Sequence, residues 1–327
     1  MMKKWLSVVL GSLLVVLASG CATRITVSHL VPAAFDMSRY RTLAVEEPVV
    51  YEFSIDPIED LSGGSPVILY SGDTPFIGRS IGGELAEKLG AKLQESSYFS
   101  PLFLAQGERA DVPRLYSQGY TALLRPRISR IKGSQYIYAE TKVGEQEPSS
   151  YALRQYVELS LVFTLIETAT GNILLEKVMQ GNADNRYELD IEDGPVIFAP
   201  PLQPLIQQQM NVLVDSFIDS LQPTRKVVSL SLLPNKPAVA AVEMAYQYSK
   251  EGLYQQALSL FELQWQQSRH LSSGYNAALI YEALGQREKA LNLMQEVYGY
   301  YRQKKVAFQI ERMQRHMKEH QRAQQQF

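Results

Sequence analysis

The sequence predicts an α+β fold, a mixed or antiparallel sheet with helices packed on it, followed by an all-α region. Three observations carry this prediction. Between residues 27 and 221 the hydrophobic pattern runs strand, helix, strand, antiparallel strands, helix, an order typical of α+β layers. After Pro223 the period becomes helical and the sequence repeats itself. The chain is 46% hydrophobic and 20% charged with a net charge of −2, a globular composition long enough for two domains and without the basic balance of nucleic-acid-binding proteins.

The elements of the first region follow from their periodicity. Residues 42–48 form a buried strand that leaves into a proline turn. A helix follows, in which one apolar stripe contains Ile81, Leu85, Leu89 and Leu93. Alternate apolar residues over 157–165 give one packed face of a strand, and residues 170–172 supply a turn into the next strand. The last helix opens with prolines suited to a first turn and ends before Pro223.

Four stretches of this region carry a family resemblance: YRTLAVEEP, SSYFSPLFLA, GYTALLRPRISRI and LVFTLIETATGNILLEK. Together they resemble the α/β domain of periplasmic lipoproteins of the curli-assembly (CsgG-like) family. The resemblance implies either a secretion-channel subunit with membrane-spanning hairpins or an anchored relative that forms no pore. The strand from Tyr156 is apolar on both faces, at Val162 and Ile166 as well as at the alternate positions, whereas a pore strand has one polar face. We expect the non-pore form; an oligomeric channel or its accessory subunit is the alternative.

The second region contains an internal repeat of 33 residues. Aligning MAYQYSKEGLYQQALSLF with AALIYEALGQREKALNLM pairs Ala245 with Ala278, Tyr248 with Tyr281, Gly252 with Gly285, and Ala257 with Ala290. Small residues where two helices cross and a Gly at the turn resemble the 34-residue tetratricopeptide repeat. Phe261 occupies the large-residue position, for which the second copy has Met294, and the aromatic Tyr254 has Arg287 as its counterpart. Because two copies are fewer than the three usually needed, we expect them to pack on a neighbour, a closing helix or a partner.

The start of the chain has the three parts of an export signal. Lys3 and Lys4 precede an apolar run, which ends in two small residues before Cys21, the single cysteine. This pattern resembles the lipobox of bacterial lipoproteins, although Ala18 stands where Leu is usual. The resemblance implies acylation of Cys21, and Ala22 in place of Asp implies the outer membrane. An export signal over 1–20, a lipidated tether over 21–40, an α+β domain over 41–233 and a helical domain over 238–327 are the predicted divisions.

Several motifs resemble catalytic or metal sites. Residues 78–82 match the G-x-S-x-G nucleophile elbow with Ser80 as nucleophile, for which His270, His316 and His320 are the downstream bases. Residues 316–320 match the H-x-x-E-H zinc motif. We expect that motif to lie in a polar, basic helix without a core or a remaining ligand, so no metal site is predicted. The acidic run 183–194 predicts a solvated loop. No phosphate-binding glycine motif is present, so no cofactor is predicted.

The closing helix predicted after the repeats is basic. Its apolar stripe contains Val306, Ile310, Met313 and Met317, and residues 302–327 carry seven Lys or Arg against two Glu. We predict a solvated face for these charges, with contact to anionic lipid or an acidic partner as the alternative.

These patterns together predict a non-enzymatic, lipid-anchored envelope lipoprotein that faces the periplasm and acts as a scaffold or adaptor. Its partners are the membrane, through acyl chains on Cys21, and a protein bound by the repeats. No nucleic-acid partner is expected, and homo-oligomerisation stays open. A serine hydrolase acting through Ser80 is the remote alternative.

Overall fold

The computed structural model describes residues 23–60, 68–71, 74–105, 107–140, 150–189 and 196–327. The chain divides into two compact units. Unit 1 combines the described residues up to Pro32 with Pro223–Gln325, and unit 2 comprises Ala33–Gln222 with the last two residues. Among the described residues, no helix combines the length and the apolar character that crossing a membrane requires.

Twelve strands and eight helices are described. The strands are β1 (Arg24–Val31), β2 (Thr42–Val45), β3 (Val49–Val50), β4 (Phe53–Ile55), β5 (Glu59–Asp60), β6 (Ile68–Ser71), β7 (Ser100–Phe103), β8 (Ala122–Glu140), β9 (Ser150–Glu167), β10 (Ile173–Leu189), β11 (Val196–Ala199) and β12 (Thr224–Ser231). The helices are α1 (Thr74–Glu95), α2 (Val112–Ser117), α3 (Gln203–Leu221), α4 (Ala240–Lys250), α5 (Tyr254–Ser268), α6 (Leu271–Ala283), α7 (Arg287–Tyr301) and α8 (Lys304–Gln325).

Unit 2 is built on a mixed sheet, as predicted. Its strand order is β10-β9-β8-β2-β7, and β3, β4 and β5 each pair with β8. The long strands β8, β9 and β10 are antiparallel, whereas β2 is parallel to both β7 and β8. The turn between β9 and β10 contains Gly171 at φ +75°, a conformation that glycine adopts without steric cost. Residues 183–189, predicted to be a loop, instead continue β10 by pairing with β9.

Helices cover both faces of this sheet at its β2 end. Helices α1 and α3 contribute to the main core, where Phe217 stacks on Phe163 with ring centroids 3.9 Å apart. On the other face Leu115 of α2 packs with Ala44 and Leu123. Strand β2 is buried at three successive residues, 43–45, so its alternating side chains need apolar cover on both sides.

Unit 1 contains a two-stranded sheet and five helices. Strands β1 and β12 pair antiparallel over eight residues, from Arg24 with Ser231 to Val31 with Thr224. Ile25 and Val27 alternate with exposed neighbours and enter the core of the helices, where Phe261 and Tyr275 are also buried. The predicted tether over 21–40 therefore does not hold from Thr23 onward. The residues up to 233, assigned to the α+β domain, include β12, which belongs to unit 1.

The contact between α5, α6 and α7 leaves no room for a side chain at Gly274. A Cβ atom there would lie 2.5 Å from Trp265 Cε3 and 2.7 Å from Val297 Cγ2. Trp265 and Val297 are both buried and cannot move without disturbing their neighbours. Glycine at this position thus permits the close packing of three helices.

We predict that Gly274→Ala lowers the free energy of unfolding by about 1–3 kcal/mol, the usual cost of overpacking a core. The matched control is Gly299→Ala in α7, where nothing lies within 4 Å of the added Cβ and alanine stabilises a helix by up to about 1 kcal/mol over glycine. Denaturant unfolding of both variants measures the difference. Equal stability of the two variants would contradict this packing.

Candidate functional site

The helical region of unit 1 repeats its backbone at the interval found in the sequence. Helices α5 and α7 have fifteen residues each. The turns before them place Gly252 at φ +76° and Gly285 at φ +77°. Both helices end in a left-handed cap, at Arg269 and at Arg302. The same turn and the same cap recur 33 positions apart, so α4–α5 and α6–α7 are two helical hairpins with the same backbone pattern.

The predicted repeat residues lie between the helices of these hairpins. Fully buried positions are Ala245, Ala257, Ala278, Ala290, Phe261 and Met294. Tyr248, Tyr254 and Tyr281 are partly buried and pack against the core. The hydroxyl of Tyr281 donates to Glu262, and burial together with this carboxylate raises the pKa of Tyr281 to about 12. These residues are therefore packing residues, and none of them forms an open binding groove.

The inner face of the helices, which we define as the surface of α4, α6 and α8 against β1, is filled by the chain itself. The side-chain amide of Asn276 accepts from Leu233 N at 2.7 Å and donates to Leu233 O at 3.0 Å. Ser272 Oγ donates to Pro234 O at 2.5 Å, and His270 Nε2 donates to Pro237 O at 3.0 Å. Residues 233–237 thus lie against the start of α6, held through their backbone groups. No sequence signal marked Asn276 or Ser272, and His270 was considered only as a catalytic base.

An exposed surface is present where α7 passes into α8. Tyr300 and Phe308 are 58% and 60% exposed. We call this the aromatic–basic segment, which consists of the exposed residues Tyr298, Tyr300, Tyr301, Arg302, Lys304, Lys305 and Phe308. The guanidinium of Arg269 lies 5.0 Å from the Tyr300 ring centroid. Aromatic and arginine side chains at this density are typical of protein interfaces.

A buried ion pair joins α6 to α8. The guanidinium of Arg312 donates to both carboxylate oxygens of Glu282, from Nη1 to Oε1 at 2.8 Å and from Nη2 to Oε2 at 2.5 Å. The two side chains are 6% and 4% exposed. Arg312 Nε also donates to Gln309 Oε1 at 2.6 Å. Arg312 was predicted to lie on a solvated face. It is buried because its position on α8 faces Glu282, so the exposed charge of this helix is smaller than the sequence count.

Beside this ion pair lie two histidines and a second carboxylate. The rings of His29, from β1, and His316, from α8, are stacked with centroids 3.8 Å apart and an interplanar angle of 12°. His29 Nε2 lies 3.0 Å from Glu319 Oε2, and His316 Nδ1 lies 3.4 Å from Glu282 Oε1. Both histidines are buried, at 2% and 7% exposure. We call His29, His316 and Glu319 the histidine–carboxylate cluster.

Burial and neighbouring charges shift the pKa values of His29 and of two groups beside the cluster, Glu282 and His320. Burial lowers the pKa of His29, and the neighbouring His316 lowers it further, against the opposing effect of Glu319. Burial alone would raise the pKa of Glu282, but hydrogen bonds from His316 and Arg312 outweigh it and leave the pKa below its ordinary value. Burial, with the charges of Arg287 and Arg225, lowers the pKa of His320.

This arrangement corrects the expectation for residues 316–320. Helix α8 has a buried stripe that includes Val306, Met313 and His316, and a further nitrogen ligand is present in His29. His320 is not in the cluster; its Nδ1 accepts from Leu30 N at 3.4 Å. The sequence could not have indicated His29, since its place depends on the pairing of β1 with a strand about 190 residues later.

The geometry around Ser80 does not form a nucleophile elbow. Residues 78–82 lie inside α1, which begins at Thr74, whereas the elbow places its serine at the turn between a strand and a helix. The downstream histidines His270, His316 and His320 all belong to unit 1. Cys21, the predicted lipidation site, lies outside the described residues.

Comparisons with known proteins return only distant likenesses. The sequence matches no protein-family model, and no curated protein is significantly similar to it. Similar solved structures include a PelC dodecamer from Paraburkholderia phytofirmans, at 12% identity over 60% of this chain and 96% of that chain with a TM-score of 0.26. Lipoprotein GNA1162 from Neisseria meningitidis has 14% identity over 55% and 99%, with a TM-score of 0.22. A minor lipoprotein from Acinetobacter baumannii has 9% identity over 56% and 90%, with a TM-score of 0.24.

We predict that Arg312→Met lowers the free energy of unfolding by about 3–5 kcal/mol, because it leaves the buried Glu282 carboxylate without its partner. The double variant Arg312→Met/Glu282→Met should recover most of this loss, since it removes both charges. Arg154→Met is the control, because it breaks an exposed pair with Asp184 and should leave stability nearly unchanged. Chemical denaturation measures the stability of all three variants. If Arg312→Met were as stable as Arg154→Met, the buried ion pair between Arg312 and Glu282 would be contradicted.

Proposed function

We propose that this protein is a non-enzymatic lipoprotein of the bacterial envelope, anchored by acyl chains on Cys21 to the outer membrane and facing the periplasm. In this proposal the helical region of unit 1 is a scaffold that holds a protein partner at the membrane. The observation that carries the proposal is the exposed aromatic–basic segment on a helical region whose inner face is already filled. Confinement to a surface raises the effective concentration of whatever the scaffold binds.

The anchor and the folded body are close together in the sequence. Thr23 is buried and its carbonyl accepts from Leu232 N at 2.9 Å, so a residue of the folded unit lies only two positions after Cys21. Two residues of extended chain span at most about 7 Å. A lipid on Cys21 would therefore hold unit 1 at the membrane surface without a long tether. Acyl burial contributes about 0.8 kcal/mol per methylene, and more than one chain gives stable anchoring.

The partner surface is proposed on the outside of the helical region. The inner face, which a solenoid of tetratricopeptide type would offer to a peptide, holds β1 and residues 233–237. Tyr300 and Phe308 are large and exposed, and the guanidinium of Arg269 lies 5.0 Å from the Tyr300 ring centroid. Side chains of these types, with arginine, supply much of the energy of protein interfaces. The likeness to tetratricopeptide repeats belongs to this proposal, and here β1 and α8 provide the packing that two copies lack.

Lipidation of Cys21 is tested by metabolic labelling with a clickable fatty acid. We expect the wild-type chain to be labelled and Cys21→Ala to lose the label, since no other cysteine can accept the thioether. Ala22→Ser, which leaves the thiol in place, is the matched control and should stay labelled. Mass spectrometry of the mature N-terminus reads the same modification directly. An unlabelled wild-type chain would contradict the proposed lipidation of Cys21.

Partner binding is tested by crosslinking the full lipoprotein in its membrane and identifying the products by mass spectrometry. Tyr300→Ala/Phe308→Ala should reduce partner crosslinks at least tenfold, because truncating a central interface residue costs about 2 kcal/mol or more. Tyr51→Ala/Tyr116→Ala is the matched control, as these residues of unit 2 are 67% and 57% exposed. Crosslinks that both pairs of variants leave intact would contradict the proposed surface. Self-crosslinks alone would favour the oligomeric channel.

A further inference from the structure

The geometry points to a divalent zinc site formed by the histidine–carboxylate cluster, with two imidazole nitrogens and one carboxylate oxygen as protein ligands. His29 contributes from β1, and His316 and Glu319 contribute from α8. The ion would connect the first strand of the chain to its last helix. This inference does not depend on the scaffold function, because it concerns the assembly of unit 1 alone.

The three ligands converge because of two local periodicities. His316 and Glu319 are three residues apart on α8, so they lie on one face of the helix. His29 follows Ile25 and Val27 on the inward side of β1, which packs against α8. One donor atom from each residue lies within 4.8 Å of the others. A tetrahedral zinc ion with bonds of 2.0–2.1 Å separates its ligands by about 3.3 Å, so the donor atoms must approach one another by at most about 1.5 Å to hold an ion.

The donor set and its charge suit zinc. Two imidazole nitrogens and a carboxylate oxygen are ligands that zinc accepts, whereas calcium and magnesium prefer oxygen ligands only. Glu282 is paired with Arg312, so Glu319 is the carboxylate of the cluster that can offset the charge of a bound ion. Both histidines are buried, and the Glu319 side chain is 32% exposed. The site is therefore shielded by the core but open to an entering ion at the carboxylate.

A second layer of contacts orients one of the imidazoles. His316 Nδ1 lies 3.4 Å from Glu282 Oε1 and 3.2 Å from Arg312 Nη1, so Nε2 is the nitrogen that remains available as its ligand atom. Glu282 is in turn fixed by the bidentate contact with Arg312. Zinc-bound histidines commonly have a carboxylate beside the nitrogen that does not bind the metal. His29 Nδ1 is buried and makes no hydrogen bond within the described part of the chain, so its ring is oriented by the Nε2 contact with Glu319 and by the stack on His316.

Metal binding has a structural consequence that can be observed. A nitrogen lone pair lies in the plane of its ring, so one ion cannot lie in both ring planes while the rings stay stacked at 12°. Binding must open the stack and replace the hydrogen bond from His29 to Glu319 with two metal bonds. The ion then crosslinks β1 to α8, which stabilises the folded state of unit 1 by closing a long loop. The fourth position is left to water.

The test uses the full chain in detergent, stripped of metal and then titrated with Zn²⁺, with bound metal counted by mass spectrometry. We expect one ion per chain, a rise in melting temperature, and d–d absorption of a tetrahedral site with Co²⁺. Glu319→Gln is the most informative variant, because Glu319 is partly exposed and glutamine has the same side-chain shape as glutamate. It should weaken zinc binding at least tenfold, as should His29→Gln and His316→Gln.

The control is His320→Gln, which removes the second imidazole of the sequence motif but none of the three ligands. It should bind zinc within about twofold of wild type. Circular dichroism and the metal-free melting temperature show whether each variant folds. No binding by the wild type, or a loss in His320→Gln equal to that in a folded Glu319→Gln, would overturn the site. Retention of affinity in folded Glu319→Gln would do the same.

Discussion

The antiparallel pairing of β1 with β12 is the contact on which the rest of unit 1 depends. Strand β1 ends at Val31, and β12 begins at Thr224, its partner in the register. Unit 2 begins at Ala33 and its main segment ends at Gln222. Unit 2 is therefore inserted in the connection between two paired strands. Because side chains alternate between faces, a slip of one residue would turn Ile25, Val27 and His29 away from the core.

This pairing also explains how two helical hairpins suffice. A stack of hairpins exposes apolar surface at its ends and along its inner face, which is why longer arrays are usual. Here β1 covers the inner face, α8 closes the end, and Asn276 binds both backbone groups of Leu233. The chain thus uses its own first strand and its own last helix where a longer repeat protein would use further repeats. As a consequence, the inner face of these helices is occupied by the chain itself.

Local periodicity in the sequence predicted much of the fold. The apolar stripe over Ile81–Leu93, the strand ending in the turn at Gly171 and the 33-residue interval all correspond to elements of the structure. Each depends on residues close together in sequence. Strand β1 was assigned to a tether, because its partner lies about 190 residues away and eight residues alone do not indicate which strand they pair with.

The candidate site was missed for the same physical reason. The H-x-x-E-H pattern contains His316 and Glu319. No metal site was predicted there because the sequence offered no further ligand. The further residue is His29, which reaches them only because β1 packs against α8. Arg312 was counted as surface charge, since a lone arginine in a polar helix gives no sign of a carboxylate on another helix. Glu282 lies in the second repeat copy, where the repeat pattern describes only packing residues. The roles of residues that depend on contacts distant in sequence therefore could not be predicted from their sequence neighbours.

The inserted topology also imposes an order on folding. During synthesis β1 emerges first, but its partner strand and all five helices of unit 1 follow unit 2. Unit 2 can fold as a unit when it emerges, as domains generally do, while β1 keeps an unpaired edge, a template for wrong pairing. The exposed residues Arg24 and Thr26 alternate with the apolar ones, which limits the apolar surface of that edge. The buried polar contacts of His29 then add specificity to hydrophobic burial, because Glu319 and His316 meet it in one register only.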